Sequence, residues 1–336
     1  MAITFRNLPK GSVIGSGSYV FRHYGEETVK TPDYLCFTSE QAGSTVAMAV
    51  NGTPTKGQVF GYSTDGTNWS VFTPGTTTIT LANVGNKVYF RGDNTTVSES
   101  SSIYYKFVMT GKIAASGNIM SLLDKTCQSL TISNSHCFFK MFQGCTSLTT
   151  APSFPATTVA TYCYSVMFGG CTSLTTAPSF PATTLATYCY NAMFSGCTSL
   201  TTAPALPATT LATYCYYDMF RNCTSLTTAP ALPATTLSAS CYSNMFYGCK
   251  SLTTAPALPA TTLASVCYRA MFYGCTSLQV YSSSGAGHTE AWPIPTSGTA
   301  SSYTSQTQMF YNCPGSYQTK TRVSLNRTFY TQNTPV

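Results

Sequence analysis

Charge is scarce in this chain. Only 8% of its 336 residues are Asp, Glu, Lys or Arg. Ser, Thr, Asn and Tyr must therefore supply most of the wetted surface. The formal net charge is +7, yet the basic residues are scattered and no Lys/Arg run occurs. Without a basic stripe to track phosphates, nucleic acid is not an expected partner. No apolar run approaches the roughly 20 residues that a membrane-spanning helix needs, so membrane insertion is not expected. Residues Met1 to Gly11 hold no apolar signal core and no small-residue cleavage site. The expectation is a protein made in a reducing cytosol.

Histidine is equally sparse, with only His23, His136 and His288. H-E-x-x-H, G-x-S-x-G, P-loop and dinucleotide-binding signatures are all missing, as is any C-x-x-C pair. His136, beside Cys137, reads as a structural contact. His288 and Glu290 read as loop residues of a Ser/Gly-rich stretch. From residue 146 to 275 the only charged residues are Asp218, Arg221, Lys250 and Arg269. A glycoside hydrolase needs two carboxylates at its scissile bond, and this segment has one acid. The chain is expected to be no enzyme and to use no cofactor and no metal.

Cysteine, by contrast, is plentiful, at 15 residues. The odd count and regular spacing argue against a disulfide framework. Cys145, Cys171, Cys197, Cys223, Cys249 and Cys275 recur every 26 residues. A second column, Cys137, Cys163, Cys189, Cys215, Cys241 and Cys267, precedes it by eight. Met-Phe pairs beginning at Met141, Met167, Met193, Met219, Met245 and Met271 lie between the two. The unit reads S-L-T-T-A-P-x-[LF]-P-A-T-T-L-A-x-x-C-Y-x-x-M-F-x-x-C. Self-similarity of this kind is the signature of a stacked repeat architecture.

Within a unit, Cys-Tyr-x-x-Met-Phe-x-x-Cys places constant residues at i, i+1, i+4, i+5 and i+8, one face of a helix. Ser-Leu-Thr-Thr-Ala-Pro reads as a brief strand with its Leu inward. If the nine-residue segment is helical, its two thiols stand about 12 Å apart, too far to share a zinc ion. One unit buries too few apolar side chains to offset the entropy of ordering it. Units must therefore stack, with strands about 4.8 Å apart in a parallel sheet and thiols free and buried in ladders. The end units are atypical, as a stacked array requires. Ile119 and Leu122 mark the first, and Met309-Phe310 with Cys313, after a 12-residue insertion, mark the last. The expected fold class is an α/β leucine-rich-repeat solenoid.

The N-terminal third differs. Tyr34 to Phe37, Ser44 to Val50, Gln58 to Tyr62, Thr78 to Leu81, Lys87 to Phe90 and Tyr104 to Met109 read as strands. Turn signals such as Asn51-Gly52 and Asp65-Gly66 separate them. A small all-β sandwich of immunoglobulin-like type is expected, with Trp69 as a core anchor. The domain organisation is then an arm or docking segment (1–33), the sandwich (34–116), the solenoid (117–317) and a tail (318–336).

The unit L-P-A-T-T-L-A-x-x-C-Y-x-x-M-F-x-x-C-T-S-L-T-x-A-P resembles BspA-like leucine-rich repeats. Ser63 to Trp69 and Gly117 to Leu123 resemble the segment that leads into such repeats. The likeness covers roughly residues 34–336. BspA-like repeats occur in surface proteins of Bacteroides-type gut bacteria and in virion proteins of their phages. The resemblance implies adhesion and recognition rather than catalysis. Bacterial surface members carry an export signal, and none is seen here. The favoured reading is a virion structural protein, a head or tail fibre or decoration protein, attached to other virion proteins through its N-terminal region. It would be a homo-oligomer, assembled in the host cytoplasm, and would bind a host cell-surface protein or glycan. The alternative is a bacterial cell-surface adhesin.

The repeats differ mainly at the four x positions of the Cys-Tyr-x-x-Met-Phe-x-x-Cys segment, which a helix would turn to solvent. Tyr, Asn, Ser and Arg dominate there, a composition suited to recognition. The expected contact surface centres on Tyr217, Asp218, Arg221, Asn222, Tyr247, Arg269 and Tyr273, although an unselected exposed face would also vary in this way. A second candidate is the threonine surface, with columns such as Thr149, Thr175, Thr201, Thr227 and Thr253. The threonines are adjacent rather than alternating, so at most one of each pair is expected to face outward, and solubility is the simpler reason for them.

Overall fold

The computed structural model describes residues 13–14, 21–22, 32–281, 283–286, 290–293, 297–298, 308–314 and 328–331. Most of the expected arm and tail, together with His23 and His288, lie outside the described residues. The chain divides into two compact units, Met1–Pro32 and Asp33–Val336. In the first, β1 (Val13–Ile14) pairs antiparallel with β2 (Phe21–Arg22).

The second unit begins with eight strands: β3 (Leu35–Ser39), β4 (Ser44–Asn51), β5 (Phe60–Ser63), β6 (Ser70–Phe72), β7 (Thr78–Leu81), β8 (Lys87–Gly92), β9 (Tyr104–Thr110) and β10 (Ile113–Ser116). All six strands expected from the sequence are present, and β6 and β10 are additional. Alternation sets the faces: β4 buries Val46 and Met48, and β9 buries Tyr105, Phe107 and Met109. Strands β7-β4-β9 form one sheet. The other runs β11-β10-β3-β8-β5-β6, where β11 is Leu148–Thr150, the first strand of the repeat region. The sheets share a core in which Phe107 of one packs edge-on against Phe37 and Phe90 of the other, at 4.8 and 5.2 Å. The Asn51-Gly52 turn requires glycine. Gly52 sits at φ +74°, and a Cβ there would approach the Ser102 carbonyl to 2.6 Å.

Trp69 is not the expected core anchor. Phe60 points into the core, so its neighbour Gly61 opens to the outer face, where the indole lies 3.5 Å from Gly61's Cβ position. Trp69 is half-buried there, with the Arg91 guanidinium 4.0 Å above its ring and Tyr34 edge-on at 4.7 Å. Its apolar area is covered by a cation and a phenol rather than by the core.

The repeat region overturns the expected α/β leucine-rich-repeat class. Among the described residues there is no α-helix, and the helical content is one short 3-10 segment, Ile119–Leu122. Each Cys-Tyr-x-x-Met-Phe-x-x-Cys segment is instead a ribbon of overlapping tight turns. In the unit around Cys189, alternate amides close turns onto the residue three back: Cys189 to Ala186, Asn191 to Tyr188, Met193 to Tyr190, Ser195 to Ala192 and Cys197 to Phe194. The intervening amides point along the stack. Tyr188, Tyr190, Ala192, Phe194 and Gly196 donate to the carbonyls of Thr213, Cys215, Tyr217, Met219 and Arg221 in the next unit, at 2.7–3.1 Å.

A left-handed residue at every fourth position makes this alternation possible: Tyr188 (φ 57°), Ala192 (φ 49°) and Gly196 (φ 77°). The last of these columns is Gly144, Gly170, Gly196, Asn222, Gly248, Gly274 and Asn312, the two residue types that enter this region most readily. The physical reason for the failed helix follows. The constant positions i, i+4 and i+8 repeat with a period of 4.0, not 3.6, and both periods put the same residues on one face over a short segment. A helix spends its interior amides internally. The ribbon spends only half, and the other half joins the units.

The chain between ribbons carries few ladder bonds. Single parallel bridges join Thr176 to Thr202, Thr202 to Thr228 and Thr228 to Thr254, and likewise Thr158 to Thr184, Thr210 and Thr236 in succession. The prolines of Ala-Pro-x-x-Pro have no amide to donate, which limits pairing there. Both members of pairs such as Thr201-Thr202 and Thr209-Thr210 are exposed, contrary to the expectation of one outward threonine per pair.

The buried face of the ribbon holds the repeat's constant residues. Cys163, Tyr164, Met167, Phe168 and Cys171, with their equivalents, are at most 2% exposed. A phenylalanine spine runs the length of the stack through Phe107, Phe142, Phe168, Phe194, Phe220, Phe246, Phe272 and Phe310, with ring centroids 5.2–5.7 Å apart. The spine begins inside the β-sheet region. Ser98 and Phe107 donate to the carbonyls of Cys137 and Met141, as Phe138 and Phe142 do to the next unit. The sheets thus cover the first unit's open end. Met309 and Phe310 stack on the unit holding Phe272, whose amide donates to the Met309 carbonyl. Among the remaining segments, β12 (Thr262–Leu263) pairs parallel with β15 (Ser297–Gly298). β16 (Thr328–Thr331) lies antiparallel between β13 (Val280–Tyr281) and β14 (Glu290–Pro293).

Candidate functional site

A period of four turns alternate residue pairs to opposite faces of the ribbon. In the unit around Cys189, Cys189-Tyr190 and Met193-Phe194 point inward. Thr187-Tyr188, Asn191-Ala192 and Ser195-Gly196 point outward and are half-buried. The outer face therefore carries six columns rather than four. The pair just before the first Cys belongs to it, and a helical reading misses that pair.

Two aromatic ladders occupy this face. The first is His136, Tyr162, Tyr188 and Tyr214, stacked at 4.7, 4.4 and 4.4 Å with rings within 9° of parallel. A helical reading of the nine-residue segment does not reach these residues, which sit outside it. The signal was present in the exact fourfold spacing of Tyr162 from the variable pair ending at Val166. The second ladder is Tyr247, Tyr273 and Tyr311, at 4.5 and 4.8 Å, with the Arg221 guanidinium 4.5 Å over the Tyr247 ring.

Four of the seven residues singled out from sequence fall into one chain of contacts. Asp218 and Arg221 approach to 3.6 Å, Arg221 covers Tyr247, and Tyr247 stacks on Tyr273. Tyr217 stands beside this chain, its ring edge-on to Tyr214 at 5.4 Å and its hydroxyl accepting from Asn244 Nδ2 at 3.2 Å. Asn222 and Arg269 are exposed and stand apart from these stacks. Asn222 packs over Gly248, and Arg269 is tied in through its carbonyl, which accepts from the Asn244 amide.

The expectation that the variable positions are wet needs correction. Tyr217, Asp218, Arg221, Tyr247 and Tyr273 are half-buried, and Phe139, Ser165, Ser243 and Ala270 are buried. Side chains one rung apart lie against each other, so a residue on an outward column still loses much of its surface to the units above and below.

The electrostatics follow from this packing. Burial raises the Asp218 carboxyl above its ordinary range, and Arg221 partly opposes the shift. One Asp218 oxygen, Oδ1, is buried without a hydrogen-bond partner. Desolvation and the two neighbouring phenols push Tyr188 up to about 12. Inside, all fifteen cysteines are free, and every one except half-buried Cys127 is buried. Burial raises the thiols well above their ordinary value, as at Cys171, Cys197 and Cys223, so they are protonated and unreactive near neutrality. Among the described residues no three His, Cys, Asp or Glu side chains converge as a metal site, and no helix is long and apolar enough to cross a membrane. Comparison with known protein families, curated proteins and solved structures finds no match to this chain.

Proposed function

We propose that this chain is a non-enzymatic adhesion and structural protein of a bacteriophage virion, presenting the outer face of its turn ribbon to a host-cell surface. The observation that carries the reading is the pair of ordered tyrosine ladders, one ending and the other beginning in the unit of Tyr214, Tyr217 and Arg221. Rigid, amphipathic aromatic side chains held in place before contact lose little entropy on binding. Fifteen free thiols favour assembly in a host cytoplasm and release by lysis over export as a bacterial surface adhesin. In this proposal the N-terminal region attaches to other virion proteins and the stack projects as a homo-oligomer.

The test has two arms. Mass spectrometry of purified phage particles should find the chain as a constituent. The purified protein should bind Bacteroides-type host cells, and combined substitution of Tyr217, Arg221 and Tyr247 by Ala should weaken that binding at least about tenfold. Unchanged binding by the triple variant, or particles lacking the chain, would sink the reading.

A further inference from the structure

We infer that the ligand of this face is a neutral, linear polysaccharide laid along the stack and held at the unit of Tyr217, Asp218 and Arg221. The inference rests on the adhesion reading above and narrows it to one ligand class.

Ring stacking supplies the first argument. Tyr162, Tyr188 and Tyr214 lie face to face at 4.4 Å, so each interior ring spends both faces on its neighbours. The ladder offers ring edges and phenol hydroxyls in three consecutive units, from Tyr162 to Tyr214. Such a row fits an extended chain that offers hydroxyls at regular intervals. It does not fit a single aromatic or apolar side chain, which would need an open ring face or a pocket.

Charge supplies the second. Asp218 and Arg221 stand 3.6 Å apart and offset each other, which leaves exposed Arg269, whose charge reaches Tyr217, as a single unbalanced cation rather than a basic cluster. A polyanion gains little there, whereas a neutral polymer loses no charge solvation on docking.

The third argument is the step between ladders. The first ends at Tyr214 and the second begins at Arg221, in the same unit. Arg221 is fixed there from two sides, by the Tyr247 ring and by Asp218, while its side chain keeps 37% of its surface exposed. Held this way, the planar guanidinium presents a fork of donors to paired sugar oxygens at little entropic cost, which the flexible ammonium of lysine does not reproduce. Arg221 is thus assigned the anchoring role and Asp218 that of positioning it.

The experiment uses the full chain and host cells treated in parallel with periodate, which cleaves vicinal diols, or with a broad protease. Binding should fall at least about tenfold after periodate, survive protease, and persist in about 0.5 M NaCl, where exposed charge attraction is screened. Arg221→Lys, which keeps the charge and removes the fork, should also weaken binding at least about tenfold with an unchanged melting curve. Binding that resists periodate, is lost to protease or salt, or is retained by Arg221→Lys overturns the inference. If the triple Ala variant loses binding while periodate has no effect, adhesion through this face stands and only the polysaccharide assignment falls. If the triple variant binds normally, both fall.

Discussion

The Sγ of Cys171 donates to the carbonyl oxygen of Phe142, 3.0 Å away in the preceding unit. The same bond recurs from Cys197 to Phe168, Cys223 to Phe194, Cys249 to Phe220 and Cys275 to Phe246. Cys145 makes it to Phe107 of β9, so the sheet region stands in for a missing unit. The thiol is small enough for a crowded core, apolar enough to be buried, and still a weak donor. Cys197→Ala should therefore cost about 1–2 kcal/mol, from lost sulfur packing and a lost weak hydrogen bond, read from denaturant unfolding. Thiol labelling of the native protein should modify at most half-buried Cys127, and all fifteen thiols should react on unfolding. Stoichiometric labelling of the native columns, or intramolecular disulfides in a mass map, would contradict the packing.

Ala192 separates the ribbon from the helix that the sequence pattern suggests. In an exposed helix interior, Ala→Gly destabilises by about 1 kcal/mol. Ala192 has φ 49°, where an L side chain is strained and glycine is not. Ala192→Gly should raise stability by about 0.5–1 kcal/mol despite the larger entropy of the unfolded chain. A fall of that size would restore the helix.

Alkaline pH should unfold the stack cooperatively. Burial raises the interior tyrosines Tyr164, Tyr190, Tyr216 and Tyr242 well above their ordinary value, and the cysteine columns with them. Unfolded thiols and phenols titrate near about 8.5 and 10. Above those values the folded state holds more protons than the unfolded state, so stability is complete below about pH 8.5 and declines as pH rises. Circular dichroism and tyrosinate absorbance followed together from pH 8 to 12 should show the buried phenols ionising only as structure is lost. Ionisation of all 23 tyrosines ahead of any spectral change in the backbone would refute this.

Much of the architecture can be read from the residues, and the parts that cannot share a cause. The stacking direction, the inward Leu, Met, Phe and Cys columns and the extra unit at Met309-Phe310 all follow from register. So do six of the strands in the N-terminal third. Trp69 reads as a core anchor and is not one, because composition cannot tell a core aromatic from one lying on an outer sheet face beneath Arg91. Tyr162, Tyr188 and Tyr214 do not stand out in the sequence because a helical period leaves them off the outer face. Tyr217 and Tyr247 are drier than the sequence suggests because a single unit does not reveal the surface its neighbours cover.

The sequence by itself determined that there is a repeat, its length, and which side chains must be hidden, because one unit cannot bury enough apolar surface alone. It left open how the backbone of each unit satisfies its amides. Over nine residues a helix at 3.6 and a turn ribbon at 4.0 select the same inward positions, so hydrophobic pattern cannot separate them. Only the tertiary structure decided. Placing a neighbour one rung away gives half of the amides partners outside their own unit, and that gain offsets a left-handed residue at every fourth position.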